Sequence, residues 1–422
     1  MKKLEVPALN EKFFYGSIRS WVIHEPFVRD KGYAVRIRLT FDSGKECMVE
    51  RTGFRTKERA KKRKNSLEVE LATGKFCPFS FTMEQFFQFY LYEVCLNRKK
   101  VAYSTFVDYK GIINNYLLPA LKPNKRINTI TRKQLYQLLV NIPSPGRRKT
   151  AAAFLRTSLT YADLHNIIPV NPMNSVWKRL IREEKLPSNA AKLPRMTLTE
   201  EQIKRLMLRC REDEDFSDIY PLLLICLVCG VRISECIAVR VEDIVTDSQG
   251  GLTLHVSQQW GRKLVDGYVV SGLKNTKENN HQDIPIRGFA ADEIMVWIHK
   301  KKKGFLFERE NGKLFDRSYV TRRFKQLLVA CDLPTEVHLH DLRHCFATIL
   351  SCYGTSDKAI SVLLGHRSGE QFTRRTYIDD GMLIYDVSEE LQEIACHYFK
   401  MDQGDAGLPD LYTDEDLAKY SL

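Results

Sequence analysis

Four short segments in the second half of this 422-residue chain hold residues whose types and spacing suit one kind of chemistry. Gly230-Val-Arg-Ile-Ser-Glu235 places Arg232 just beyond a glycine that closes an apolar run. His340-Asp-Leu-Arg-His344 sets His340 and Arg343 three apart, on one face if helical. Leu363-Leu-Gly-His366 closes a helical pattern at Gly365 and presents His366, and Arg374-Arg-Thr-Tyr377 puts a tyrosine eleven residues beyond it. Singly, each has an ordinary explanation. Glu235 is an obvious ion-pair partner for Arg232, and a lone histidine is more often a satisfied structural residue than a catalyst. Two arginines, two histidines and a tyrosine in this order are harder to assign to structure alone.

Such a set is equipped for phosphoryl transfer. Two permanently charged guanidinium forks can grip the non-bridging oxygens of a phosphodiester and stabilise the charge that grows there. A phenol can attack phosphorus and hold the strand covalently. Its ordinary pKa of about 10 means that it needs help losing its proton. A histidine can assist, and a lysine can protonate the departing 5′-oxygen. The covalent intermediate keeps the bond energy, so re-ligation needs neither ATP nor a metal, and no cofactor is expected. Zinc is the competing chemistry, because His338, His340 and His344 combine an HxH with an i,i+4 pair. No glutamate stands as in HExxH, and alternation puts His338 and His340 on one face of an extended stretch, which disfavours metal. Cys226-Leu-Val-Cys229 is a lone CxxC within an apolar helix, with no second pair to complete a site.

The elements that must position these residues are legible in outline. Residues 33–41 alternate strictly, with Tyr33, Val35, Ile37, Leu39 and Phe41 on one face and Arg36 and Arg38 on the other, which predicts a strand. Residues 14–23 and 45–54 are its candidate neighbours, Asp42-Ser43-Gly44 a turn, and Thr56 the cap of a basic helix to about residue 73. That helix opens KERAKKRK, which suits either a solvated face or contacts to DNA phosphates. Residues 81–180 read as all-helical: Thr82…Gln85 opens a helix to about 95, and others are predicted over 104–117, 131–140 and 147–166. The stretch 181–196, with two prolines and mixed charge, reads as an exposed linker. Beyond it, Thr199…Gln202 opens a helix, and a second apolar helix runs from Ser217, as its N-cap, to Gly230. Strands are predicted over 252–256, 268–272 and 283–286, and helices over 289–300, 318–331, 340–352 and 357–364.

Composition sets the frame. At 44% hydrophobic and 28% charged, the chain is ordinary globular material. The longest apolar run, 220–231, falls short of the roughly 20 residues a bilayer needs, so no membrane partner is expected. Glu5 and Pro7 break any signal-like run at the N-terminus, and eleven scattered cysteines suit reduced thiols, so a cytoplasmic protein is expected. The net charge of +13 points toward a polyanion. Residues 1–75 hold 18 Lys and Arg against 10 Asp and Glu, while residues 401–422 set six acids against Lys419.

At the four segments the sequence resembles the tyrosine recombinases of the phage-integrase family. GVRISECIAVRVEDI resembles the family's first arginine box, HLHDLRHCFATIL its HxxR box, and LLGH…TRRTY its closing histidine and nucleophile box. The resemblance spans about residues 197–380. It implies that Arg232 and Arg343 clamp the scissile phosphate, that His340 assists proton transfer, that His366 hydrogen-bonds the phosphate and that Tyr377 forms a 3′-phosphotyrosyl bond. Glu235 matches an acidic position that supports the fold. The family lysine lies on a hairpin before an Ile/Val-Pro strand, here Ile284-Pro285-Ile286. Lys277, eight residues before Pro285, fits the shorter family hairpins and Lys274 a longer turn, with Lys277 favoured. The fold class implied is multidomain and mainly α with small β-sheets. A β-sheet plus helix arm-type DNA-binding domain covers 1–78 and a helical core-binding (SAM-like) domain 79–182. A linker (183–196), a mixed α+β catalytic domain (197–390) and an acidic tail (391–422) follow. Further implied are double-stranded DNA attachment sites as substrate, a homotetramer exchanging strands through a Holliday junction, and the integrase role of a prophage or integrative element in a bacterial cell, at its nucleoid. An excisionase and a host DNA-bending protein are candidate accessory partners. Residues 388–399, apolar at helical spacing, are a candidate for docking on a neighbouring protomer or on their own domain. The rival readings are a type IB topoisomerase, which relaxes DNA without pairing sites, and a DNA-binding module that does not cleave.

Overall fold

The alternating stretch near the N-terminus becomes the central strand of an antiparallel sheet. The structure is a computed structural model that describes residues 2–187, 197–247, 251–276, 281–309 and 312–365. After a two-residue strand β1 (Lys2–Lys3) come β2 (Ile18–Ile23), β3 (Phe27–Arg29), β4 (Gly32–Phe41) and β5 (Glu46–Phe54). β4 pairs antiparallel with β2, β3 and β5; Arg38, for instance, stands opposite Val22 on one side and Met48 on the other. Val35, Ile37, Leu39 and Phe41 are buried, as their two-residue period requires, and they pack with Ala60, Leu67 and Leu71 of helix α1 (Lys57–Ala72). Thr56 caps α1 by accepting from the Arg59 amide. On the opposite sheet face Arg36 pairs with Glu50 at 2.8 Å and Arg38 is exposed. The basic run of α1 is partly neutralised, since Lys64 meets Glu25 and Arg63 meets Glu70, both at 2.5 Å, while Lys57, Lys61 and Lys62 stay exposed.

The next hundred residues are helical. Helix α2 (Met83–Phe89) carries the Thr82–Gln85 reciprocal cap and continues as a π-helix over Tyr90–Arg98. Helix α3 (Tyr103–Ile112) also ends in a π-helical turn, Ile113–Leu117. Then come α4 (Arg132–Val140), α5 (Pro145–Leu164) and α6 (Met173–Arg182). Pro145 occupies the first turn of α5, where its missing N–H costs nothing, and Ser144 caps that helix. The core is aromatic: Phe86, Phe87, Tyr90, Phe106 and Phe154 are all 2% exposed or less. Phe154 packs against Phe87, Tyr90 and Tyr109 at centroid separations of 5.1–5.8 Å.

The chain divides into two compact units, Met1–Lys192 with Arg262–Val270, and Leu193–Gly261 with Ser271–Leu422. In the second unit α7 (Glu200–Glu212) opens on a capping box at Thr199 and Gln202. Helix α8 (Tyr220–Cys229) is the core: of its ten residues only Val228 is not buried. Ser217 is not its N-cap; a 3-10 turn, Ser217–Ile219, intervenes, and Pro221 in the first turn lacks one of the N–H groups that a helix start leaves free. A short α9 (Ile233–Cys236) leads to β6 (Ile244–Thr246) and β7 (Leu252–Val256). The hairpin strands β8 (Gln258–Val265) and β9 (Tyr268–Asn275) follow, then β10 (Gln282–Ile286). β7 is the middle strand of the antiparallel order β10-β7-β6. β1 pairs with the start of β9, Lys2 opposite Val269, in the part of the hairpin that belongs to the first unit. Helices α10 (Gly288–Lys301), α11 (Arg317–Ala330), α12 (Leu339–Cys352) and α13 (Asp357–Leu363) complete the described residues.

Candidate active site

Arg232 owes its place to the glycine two residues before it. Gly230 ends α8 in the left-handed region at φ 60°, and a Cβ there would fall on the Phe346 ring of α12, so this position requires glycine twice over. The chain reverses, and Arg232 stands at the N-cap of α9. Glu235, 1% exposed, binds it twice: one carboxylate oxygen accepts from the Arg232 backbone N–H at 2.9 Å, the other from Nη1 at 2.8 Å. The Arg232 side chain remains 24% exposed. Glu235 therefore orients the guanidinium and caps the helix in one contact.

Arg343 comes from α12 and lies deeper, at 1% exposure. Its Nη1 donates to the Gly230 carbonyl at 2.7 Å and its Nη2 to the Leu364 carbonyl at 2.5 Å. One buried guanidinium thus ties the turn before Arg232 to the end of α13, across 113 and 21 residues of sequence. Gln282, 7% exposed on β10, donates to the neighbouring Leu363 carbonyl at 2.5 Å. These two donors satisfy the last carbonyls of α13, just before Gly365, which has a positive φ of 62°. Gln282 belongs to none of the four sequence segments. Its signal is a polar residue at an inward position of an alternating strand, with Ile284 and Ile286 buried beside it.

His340 sits half-buried in the first turn of α12, its ring edge-on to His344 at 5.2 Å between centroids. His338 is not on a strand shared with His340. It is the N-cap of α12, and its N–H donates to the Asp341 carboxylate at 2.7 Å, because an unsatisfied helix start recruits the acid three residues on. His338 is exposed and His344 is 1% exposed, so the three imidazoles do not converge. Among the described residues no group of three His, Cys, Asp or Glu side chains could hold a metal ion. Cys226 and Cys229 lie in the core of α8; burial drives the Cys229 thiol well above its ordinary pKa, and that of Cys236 with it. Cys345, beside Arg343 on α12, is pushed up to about 11 by burial. These thiols are packing residues.

Lys274 lies half-buried on β9. Lys277, His366 and Tyr377 lie outside the described residues, as do the candidate docking segment 388–399 and the acidic tail. Of the six residues and one alternative expected from the sequence, the structure brings together Arg232, Arg343 and, on the same helix, His340. No helix among the described residues is long and apolar enough to cross a membrane.

Residues 196–382 match the phage integrase family, and residues 82–142 match the phage integrase N-terminal SAM-like domain; together they span more than half of the chain. Among curated relatives, the tyrosine recombinase XerC-like protein of Caldanaerobacter subterraneus subsp. tengcongensis is 24% identical over 366 residues, covering 79% of this chain and 89% of the relative. Tyrosine recombinase XerC of Bacillus subtilis is 22% identical over 234 residues, covering 51% and 70%. The fold is similar to the Tn1549 transposon integrase in complex with transposon right end DNA, with a TM-score of 0.57, 19% identity, and 72% and 98% of the two chains covered. It is also similar to a lambda integrase dimer bound to a COC′ core site (TM-score 0.55, 16% identity, 85% and 95% covered). A lambda integrase tetramer bound to a Holliday junction gives 0.52 at 15% identity, with 81% and 95% covered. The chain belongs to the phage integrase family. It is a tyrosine recombinase, an enzyme of site-specific DNA recombination and integration.

Proposed function

We propose that this enzyme cuts and rejoins double-stranded DNA at attachment sites through a 3′-phosphotyrosyl bond to Tyr377, and so integrates a mobile element. The observation that carries the assignment of roles is the Arg343–Gly230 hydrogen bond, which sets the HxxR helix against the turn that presents Arg232. Two guanidiniums anchored around one turn suit a phosphate whose charge rises in the transition state. In this reading Arg232, at the rim, and Arg343, beneath it, hold the non-bridging oxygens. His340 receives the tyrosine proton, His366 hydrogen-bonds the phosphate, and Lys277 or Lys274 protonates the leaving 5′-oxygen. Glu235 holds Arg232 and takes no part in the chemistry.

The same reading assigns arm-type DNA contacts to residues 1–78, core-site contacts to 79–182, a linker to 183–196, catalysis to 197–390 and a protein-facing role to the tail from 391. The exposed lysines of α1 support the first of these. Four protomers exchange strands pairwise through a Holliday junction, inside the bacterial cell and on its nucleoid, with an excisionase and a DNA-bending protein as accessory partners. Incubation with a nicked suicide substrate tests the chemistry. A covalent protein–DNA adduct is expected from the unaltered chain and none from Tyr377→Phe; an adduct that persists in the variant overturns the assignment.

A further inference from the structure

Gln259 and Gly261 stand two apart on β8, hence on one face of that strand. The Gln259 side chain donates from Nε2 to the carbonyl of Asn275 on β9 at 2.8 Å and accepts from the Ser234 hydroxyl at 3.4 Å. Ser234 is the second residue of α9, two after Arg232. One amide therefore joins the helix that carries the first arginine to the residue immediately following Lys274.

Gly261 explains the other half of the arrangement. Its φ is not in the left-handed region, so its backbone conformation is open to any residue. A Cβ there would instead meet one side chain: it would lie 2.7 Å from Cε and 2.9 Å from Nζ of Lys274. The ammonium end of Lys274 crosses the bare Cα of Gly261. A free lysine side chain samples many rotamers, and a strand surface that it must lie across selects few of them.

We propose that Gln259 and Gly261 are positioning residues that set Lys274 as the lysine protonating the leaving 5′-oxygen. The inference rests on the phosphotyrosyl reading above. In that step the Tyr377 oxygen bonds to phosphorus, the bond from phosphorus to O5′ breaks, and its electron pair stays on O5′. The Lys274 ammonium gives O5′ a proton and becomes a neutral amine, and the tyrosine proton goes to His340. Re-ligation runs the same transfers backwards.

The test compares two nicked suicide substrates with the full chain, one with oxygen and one with sulfur at the 5′-bridging position. A thiol has a pKa of about 8.5, so a thiolate leaves without being protonated. Lys274→Met is expected to slow adduct formation on the oxygen substrate about 10²-fold or more and to approach the unaltered rate on sulfur. Gly261→Val and Gln259→Leu are expected to show the same rescue, with losses of about tenfold on oxygen. Equal slowing of Gly261→Val and Gln259→Leu on both substrates would mean a merely structural role and overturn the proposal. A sulfur-rescued defect in Lys277→Met in place of Lys274→Met would also overturn it, while leaving the phosphotyrosyl reading intact. An adduct that survives Tyr377→Phe overturns that reading instead, and the proposal with it.

Discussion

The two units bury different kinds of residue. Among the described residues of the first, the buried polar ones are Ser158 and Asn171, and the core between α2 and α5 is filled by aromatic rings. Among the described residues of the second they are Glu235, Thr276, Gln282, Arg343, His344, Thr348 and Ser361, around a core made mainly of aliphatic residues and cysteines. Buried charge costs stability unless it is paired and hydrogen-bonded, so it persists where something other than packing demands it. Among its described residues the first unit buries no charged side chain, and charge at a surface can attract DNA phosphates without specifying a reaction. The second draws an arginine and a glutamate inside, with both Nη groups of Arg343 and both carboxylate oxygens of Glu235 hydrogen-bonded. Attraction needs only charge; transition-state stabilisation needs charge held still.

Breaking Arg343 is expected to have the largest effect. Arg343→Ala leaves the Gly230 and Leu364 carbonyls short of donors, at about 1–3 kcal/mol each in denaturant unfolding, and lowers adduct formation by about 10³-fold. Arg343→Lys keeps the charge without the fork; a cleavage rate within tenfold of the unaltered chain would make this guanidinium only a strut. Next is Glu235→Ala, expected to cost about 1–3 kcal/mol in thermal unfolding, since it removes a buried carboxylate that caps α9 and holds Arg232. Gln282→Leu is expected to cost about 1 kcal/mol and to slow adduct formation, because the Leu363 carbonyl loses its donor beside Gly365. Its counterpart in the first unit, Ser158→Ala, is expected to stay within about 1 kcal/mol and to leave cleavage unchanged. A cleavage defect there would erase the contrast.

Surface changes on α1 sharpen the comparison from the other side. Lys61→Ala and Lys62→Ala are expected to leave unfolding unchanged and to weaken binding to any duplex, reducing the slope of log affinity against log salt by about 0.9 each. An unchanged slope would assign that run to a solvated face. The smallest expected effect is electrostatic. Hydrogen bonds from Asn97 and Arg98 hold the Glu93 carboxylate below its ordinary range. Its contribution is present above the unfolded pKa and is lost as pH falls through the lower, folded value. Glu93→Gln should flatten that acid limb of the stability profile, read by thermal unfolding between pH 3 and 6.

Elements with a single strong period were legible in the sequence. β4, α7, α12 and β7 stand where alternation, capping boxes and helical spacing put them, because each buries one face and declares it. β8 is not legible in the sequence: Gln258-Gln-Trp-Gly-Arg-Lys263 has no clean alternation, and it is a strand because β9 pairs with it. β6 is three residues long and takes its register from β7. The π-helical stretches after α2 and α3 leave no mark on a pattern of period 3.6.

The amino-acid sequence by itself pointed to the reaction class, through residue types in a fixed order: two arginines, two histidines and a tyrosine. Chemistry depends on functional groups, and those are written in the chain. Only the tertiary structure decided how the groups are held. Arg343 lies beneath the turn before Arg232, Glu235 grips Arg232 at two points, Gln282 holds the end of α13, and Gly261 leaves a path for Lys274. These are contacts between residues up to 113 positions apart, set by the packing of α8, α12 and the hairpin, and local pattern carries no record of them.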